Sequence, residues 1–210
     1  MDLGYIAIVL GVVLLSMTLH EAMHAFVGYW LGDDTAKLQG RLSLNPVKHI
    51  DPFLTLILPI TLAVLGGPIF GGAKPVPFNP NRIRYDEWGA ALVAIAGPLT
   101  NLVLAFVMFA VFVVAGMPQS GFLAQILYAA VTVNLGFFIF NILPIPPLDG
   151  SRVLYALAPD FVRRGMEAVE QFGIFFIFAV VLLAGPLLST FMSASIQFFL
   201  ELFSRLLGVA

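Results

Sequence analysis

Residues 4 to 31 form an apolar run that, as a helix, would reach about 42 Å, enough to cross a bilayer core with tilt. Further apolar runs follow at 53–70, 88–115, 122–141, 172–185 and 187–207. A backbone inside lipid must satisfy its own hydrogen bonds, which only helices or closed barrels achieve. Apolar residues make up 60% of the chain and charged residues 10%, too little polar surface to coat a soluble globule. The expected architecture is an all-α polytopic membrane protein of five or six membrane helices, forming one membrane-embedded domain over 1–210.

Charge and cysteine content narrow the function. Ten Lys and Arg against twelve Asp and Glu leave a formal charge of −2 and no broad basic surface, which excludes a nucleic-acid partner. With no cysteine, neither disulfides nor thiolate metal sites are available. The chain begins without a basic leader and carries His20, Glu21 and His24 inside its first apolar run, so that run reads as a mature helix. The lipid bilayer is its surroundings, and the sequence carries no signal of oligomeric state.

The punctuation between runs predicts the topology. Gly32-Asp33-Asp34 closes the first helix, and Lys37-Leu38-Gln39-Gly40-Arg41-Leu42-Ser43-Leu44 alternates loosely, predicting a short strand at the membrane surface. The 53–70 run contains Pro59 and Gly66-Gly67-Pro68 and precedes Lys74-Pro75-Val76-Pro77-Phe78-Asn79-Pro80, which suits a re-entrant or broken segment. Residues 116–121 form a turn, Pro144-Ile145-Pro146-Pro147 ends the 122–141 helix, and a helix start at Asp149-Gly150-Ser151 leads an amphipathic piece to Gln171. Gly185-Pro186 divides the C-terminal membrane segment, 172–207, into two short spans or a hairpin.

With a re-entrant 53–70 and two short final spans, all ten basic residues fall on one face. Basic residues favour the cytoplasm. The expected protein is thus a multi-pass protein of the cell membrane with its N-terminus outside the cytoplasm.

His20-Glu21-Ala22-Met23-His24 is an HExxH pattern, which chance would produce roughly 0.002 times in a chain of this composition. Histidines four apart on a helix face one side and can grip one ion with the glutamate beside it. Their competing reading is a histidine pair hydrogen-bonded between helices, although ionisable groups within an apolar span are expensive and usually functional. Catalytic zinc takes three protein ligands and an open fourth position. His49, a carboxylate or an amide could complete the set. Asp149 is best placed, following prolines that free the backbone and preceding a glycine that allows close approach, though it would also serve as a helix cap. Parallel first and 122–141 helices would bring it toward His24 in the cytoplasmic half.

These motifs resemble those of the site-2 protease family of intramembrane zinc metalloproteases. The likeness rests on His20 to His24, on Asn141 through Leu148-Asp149-Gly150, and on Ala96-Gly97-Pro98-Leu99-Thr100-Asn101 in the intervening helix. It covers about residues 4–158, the expected core, and points to the compact prokaryotic branch without PDZ or CBS domains. The resemblance implies one catalytic Zn2+ on His20, His24 and Asp149, with Glu21 as proton acceptor. It also implies a transmembrane protein as substrate, and Asn141 as a donor to the substrate or its oxyanion.

Asn141 could instead cap its broken helix. Asn101 and Asn134 both read most simply as interhelical hydrogen bonds, with Asn101 also a candidate substrate contact or supporting partner of a ligand. His49 reads as interfacial, and Arg163 with Glu167 as a solvated pair. Residues 37–44 and 74–80 could offer an edge to an unwound substrate by strand addition. The competing functions are a metal carrier, which has no need of Glu21, and an inactive relative, against which the intact His20, Glu21, His24 and Asp149 weigh.

Overall fold

Unbroken apolar stretches coil into helices that satisfy their backbones internally, and these helices set the frame of the computed structural model, which describes residues 3–57 and 74–209. Helix α1 covers Leu3–Trp30, and a single helical turn, α2, covers Thr35–Leu38. The chain continues through short turns at Pro46–Lys48, Pro52–Ile57 and Pro80–Arg82 to α3 (Asp86–Val114) and α4 (Phe122–Asn141). Two shorter helices, α5 (Gly150–Leu157) and α6 (Asp160–Glu170), lead into the long α7 (Ile174–Leu206). Among the described residues, four helices (α1, α3, α4 and α7) are long and apolar enough to cross a membrane.

That is fewer than the five or six expected, and one reason is α7. The 172–207 segment consists of two helical limbs joined at a kink beside Gly185-Pro186, where the sequence places a division. The dihedral angles leave the helical region at Ala184 (φ −111°, ψ 15°), and helix resumes on the far side. Pro186 removes one hydrogen bond and kinks the helix there, but the following turns resume. The other uncertain span, 53–70, falls mostly at 58–73, outside the described residues.

The predicted surface strand is also absent, and 35–38 is helical. The Asp33 carboxylate accepts Thr35 N at 3.0 Å and Thr35 Oγ1 at 2.5 Å, and Arg41 N returns to Ala36 O at 2.7 Å, so the segment curls where the alternation suggested extension. Leu38 and Leu44 stay exposed, which leaves the period-two pattern no buried face. The continuous amphipathic piece expected to reach Gln171 is broken at Ala158-Pro159. Arg163 donates to Tyr155 O and Ala156 O at the end of α5, while Tyr155 donates to Glu167. These two residues therefore join α5 to α6. His49 is buried within its loop, with Nε2 at 2.7 Å from Ser43 O.

Helices α1, α3 and α4 pack mutually through small buried residues, among them Ala22, Ala25, Ala94, Gly97, Ala105 and Ala130. Close approach of this kind is how membrane helices associate without a hydrophobic driving force. Helix α7 leans on the far end of the trio, where Phe203 meets Phe106 edge-on at 5.1 Å and Phe109 at 5.8 Å. The C-terminal limb of α7 therefore ends beside the end of α3 and the 116–121 turn, and Arg205 goes with it. The one-sided distribution of basic residues weakens from ten to nine.

Candidate metal centre

Helical periodicity stacks His20 and His24 one turn apart on the face of α1 that packs against α3, with their Nε2 atoms 3.0 Å apart. The His24 Nδ1–H donates to Val93 O at 2.7 Å. That carbonyl lies on α3 one turn before Gly97. The other ring nitrogen of the pair, His20 Nδ1, meets Asn101 Oδ1 at 2.6 Å. Both rings are thus held at Nδ1 by oxygen acceptors, leaving Nε2 of each with a free lone pair. Gly97 makes room for them: a Cβ there would lie 2.4 Å from His24 Nε2 and 2.6 Å from His20 Nε2.

Asp149 completes the group from the loop after α4. Its Oδ2 lies 3.1 Å from His20 Nε2 and 3.4 Å from His24 Nε2. It reaches this position because Gly150 allows the start of α5 to press on the 142–143 backbone; a Cβ at Gly150 would fall 2.1 Å from Ile142 O. Burial would raise the Asp149 carboxyl, but His24 and His20 pull it below the usual carboxylate range, so it presents an anion at neutral pH.

Two bare imidazole nitrogens and a carboxylate oxygen thus converge, an arrangement that calls for positive charge between them. A proton on one ring would serve, and so would a divalent ion. The triangle's edges of 3.0, 3.1 and 3.4 Å match the ligand separation of about 3.3 Å that tetrahedral zinc bonds of about 2.0–2.1 Å require. The donor set, its spacing and the Nδ1 anchors all fit zinc.

Glu21 sits beside the triangle. Its carboxylate lies within 4.8 Å of the imidazole nitrogens, and its Oε2 accepts Val76 N at 3.0 Å from the extended segment 74–79. That segment is tied down at both ends. Arg41 donates to Lys74 O at 2.5 Å and Pro75 O at 3.3 Å, Lys74 N donates to His49 O at 2.9 Å, and Asn79 N donates to Asp33 Oδ2 at 2.7 Å. Between the segment and the helices lies a cavity of about 160 Å³ that Glu21, His24, Asp149, Val76, Phe78 and Arg152 help to line.

The remaining candidates fall elsewhere. Asn101, for which the sequence left open an interhelical bond, support of a ligand or a substrate contact, is fully buried behind His20 with its amide engaged on both sides, which meets the first two of these readings. Asn141 ends α4 and turns its amide back on its own helix, donating to Phe137 O at 3.0 Å. Sequence reasoning missed Val93, Asp33 and Arg41. Val93 contributes a backbone carbonyl, which no side-chain pattern signals. Asp33 and Arg41 are charged groups in a loop, yet they are only 3% and 6% exposed.

Comparison with known proteins bears on the same segments. The model of "Peptidase family M50" matches residues 115–185, the part of the chain that contains Asp149. YwhC of Bacillus subtilis, named as a candidate zinc metalloprotease, is 40% identical over 202 residues, 92% of this chain and 89% of that protein. Two proteins named Rip2 in the same terms also match: that of Mycolicibacterium smegmatis is 32% identical over 95% of this chain and 76% of its own length, and that of Mycobacterium tuberculosis H37Rv is 30% identical over 89% and 70%. No solved structure matches the chain. The long relatives and the matched segment together establish that the chain belongs to peptidase family M50, the site-2 protease family.

Proposed function

We propose that the chain is a zinc endopeptidase that hydrolyses peptide bonds within or near the transmembrane segment of another membrane protein. The observation that carries this reading is the convergence of His20, His24 and Asp149 on one point, with Glu21 beside them in a cavity between apolar helices. One domain, 1–210, holds the whole site. His20, His24 and Asp149 hold a single zinc. When bound, the ion supplies a water acidic enough to act as a nucleophile near neutral pH and polarises the scissile carbonyl.

The protein's own groups do the rest. Glu21 takes the proton of the attacking water and returns it to the leaving amine. Its bond to Val76 N holds the carboxylate beside the site until substrate enters. Asn141 has a second amide hydrogen besides the one given to Phe137 O, and with it steadies the substrate carbonyl as negative charge develops. A substrate helix must unwind to expose that carbonyl, and the extended 74–79 backbone is the surface along which the unwound stretch lies. With nine of ten basic residues on the face that carries this loop, the protein lies in the cell membrane with its active site in the cytoplasmic half.

The test is co-expression with single-pass substrates, comparing wild type with Glu21→Gln. The variant should retain its zinc and lose cleavage by roughly a thousand-fold or more, the scale on which a group acting with others in catalysis is felt. Equal cleavage by both would reject Glu21 as the proton acceptor. Metal uptake into vesicles by both proteins would favour a carrier.

A further inference from the structure

We propose that Asn134 and Ser16 are positioning residues of the metal centre, acting through Asn101 to fix the orientation and tautomer of His20. The inference rests on the reading of His20 as a zinc ligand. Four side chains from three helices form one buried chain. Asn134 Nδ2 donates to Ser16 Oγ at 2.9 Å and to Ala130 O at 2.8 Å. Asn134 Oδ1 accepts Asn101 Nδ2 at 2.9 Å. Asn101 Nδ2 also points to Ser16 O at 3.5 Å, and Asn101 Oδ1 meets His20 Nδ1 at 2.6 Å. Ser16, Asn101 and Asn134 are 4%, 0% and 3% exposed, so water does not compete for these bonds.

The direction of every bond follows from two backbone carbonyls, Ala130 O beside Asn134 and, at a longer 3.5 Å, Ser16 O beside Asn101. A backbone carbonyl only accepts, so Ala130 O fixes the nitrogen end of the Asn134 amide toward α4's own backbone and Ser16. The oxygen end then faces Asn101, which must answer with its nitrogen and leave its own oxygen toward His20. His20 is thereby required to carry its proton on Nδ1 and to keep Nε2 bare toward the ion. Flipping either amide would set two donors or two acceptors against each other in a site without water, where an unsatisfied group is costly. His24 obtains the same result directly from Val93 O. His20 lacks a carbonyl in that place and depends on two amides in series.

The experiment measures zinc affinity of the purified full-length protein by chelator competition, together with the histidine nitrogen spectrum of the metal-free form. Asn134→Leu, which removes both ends of the amide at similar volume, should weaken zinc binding by roughly 10- to 100-fold, as loss of a ligand's supporting partner does elsewhere. It should also convert the single Nδ1–H tautomer of His20 into a mixture. Asn134→Asp, protonated in this apolar site, still offers a donor and an acceptor and should recover to within about five-fold of wild type. Ser16→Ala leaves Ala130 O in place and should cost roughly two- to five-fold. It carries the test where Asn134→Leu does not fold. Wild-type affinity and a single tautomer in Asn134→Leu, or in Ser16→Ala where that variant stands alone, would overturn the relay. His20→Ala separates the two readings: if it binds zinc as wild type does, the ligand assignment fails, whereas its loss beside an unaffected Asn134→Leu condemns the relay alone.

Discussion

The candidate metal centre's two sides are held by different kinds of bond. On the inner side, His20 and His24 are fixed at Nδ1 by groups of α3, within helices whose contacts are buried. On the outer side, Glu21 is met by the backbone of segment 74–79, and that segment is fastened by loop residues: Arg41 at one end, Asp33 at the other. The difference teaches which part of the site is finished before substrate arrives. The inner groups are set by packing that forms once, on folding. If a substrate backbone lies along the outer segment, as proposed above, its fastenings must be strong enough to order it and few enough to let it shift.

The largest effect should follow from disturbing the inner side. Gly97→Ala places a methyl group 2.4 Å from His24 Nε2 and 2.6 Å from His20 Nε2. Neither ring can retreat without breaking its Nδ1 bond, so zinc affinity should fall by roughly 100-fold or more. Zinc content after dialysis against a weak chelator is the measurement. Near-wild-type zinc retention would show that the inner side yields, and the contrast between the two sides would lose its basis.

Asp33→Ala should act on the outer side alone. The carboxylate holds Asn79 N together with Thr35 N and Thr35 Oγ1, so its removal leaves three partly buried donors without that acceptor. Amide exchange in 74–79 should quicken by about 10-fold or more, the equivalent of about 1.4 kcal/mol, with zinc affinity unchanged. Arg41→Lys should do less, because an ammonium keeps the charge but reaches only one of the two carbonyls that the guanidinium holds. Exchange there should rise roughly two- to five-fold. Hydrogen-exchange mass spectrometry resolves both. Loss of zinc in either variant would mean that the two sides are mechanically one.

The inner side was also the more legible in the sequence. His20 and His24 had to share a face because a helix repeats every 3.6 residues, and Asp149 stood out between prolines and a glycine. What supports them was hidden. An asparagine in an apolar helix announces a hydrogen bond but not its partner, which is why Asn101 stayed open between helix pairing, ligand support and substrate, and Asn134 was read as helix pairing alone. The carbonyl of Val93 has no signature at all. The outer side was misread where local pattern competes with capping: 37–44 alternates like a strand, but the Asp33 side chain starts a helical turn just ahead of it. The helices themselves were placed closely, since α1, α3 and α4 end within about two residues of the predicted limits, inside the usual uncertainty of helix ends. The interruption at Gly185-Pro186 was legible because proline denies its helix a donor, and the dihedral angles do leave the helical region at Ala184.

The smallest expected effect gives the finest discrimination, because it concerns the residue next to Asp33. Asp34 pairs with Arg82, linking the same loops as Asp33 and Asn79, but both side chains are about half exposed, at 46% and 50%. An exposed pair is worth about 0–1 kcal/mol, since water and salt screen it and two mobile side chains must be ordered to make it. Asp34→Ala should therefore leave zinc affinity as it is and change exchange in 74–79 by less than about three-fold, with the difference vanishing in high salt. Two adjacent aspartates would then differ at least several-fold in their hold on one segment, through burial and the number of bonds they accept. If Asp34→Ala instead matched Asp33→Ala, the segment would be held by the net charge of its surroundings and not by buried bonds, and the outer side would answer to ionic strength as a whole.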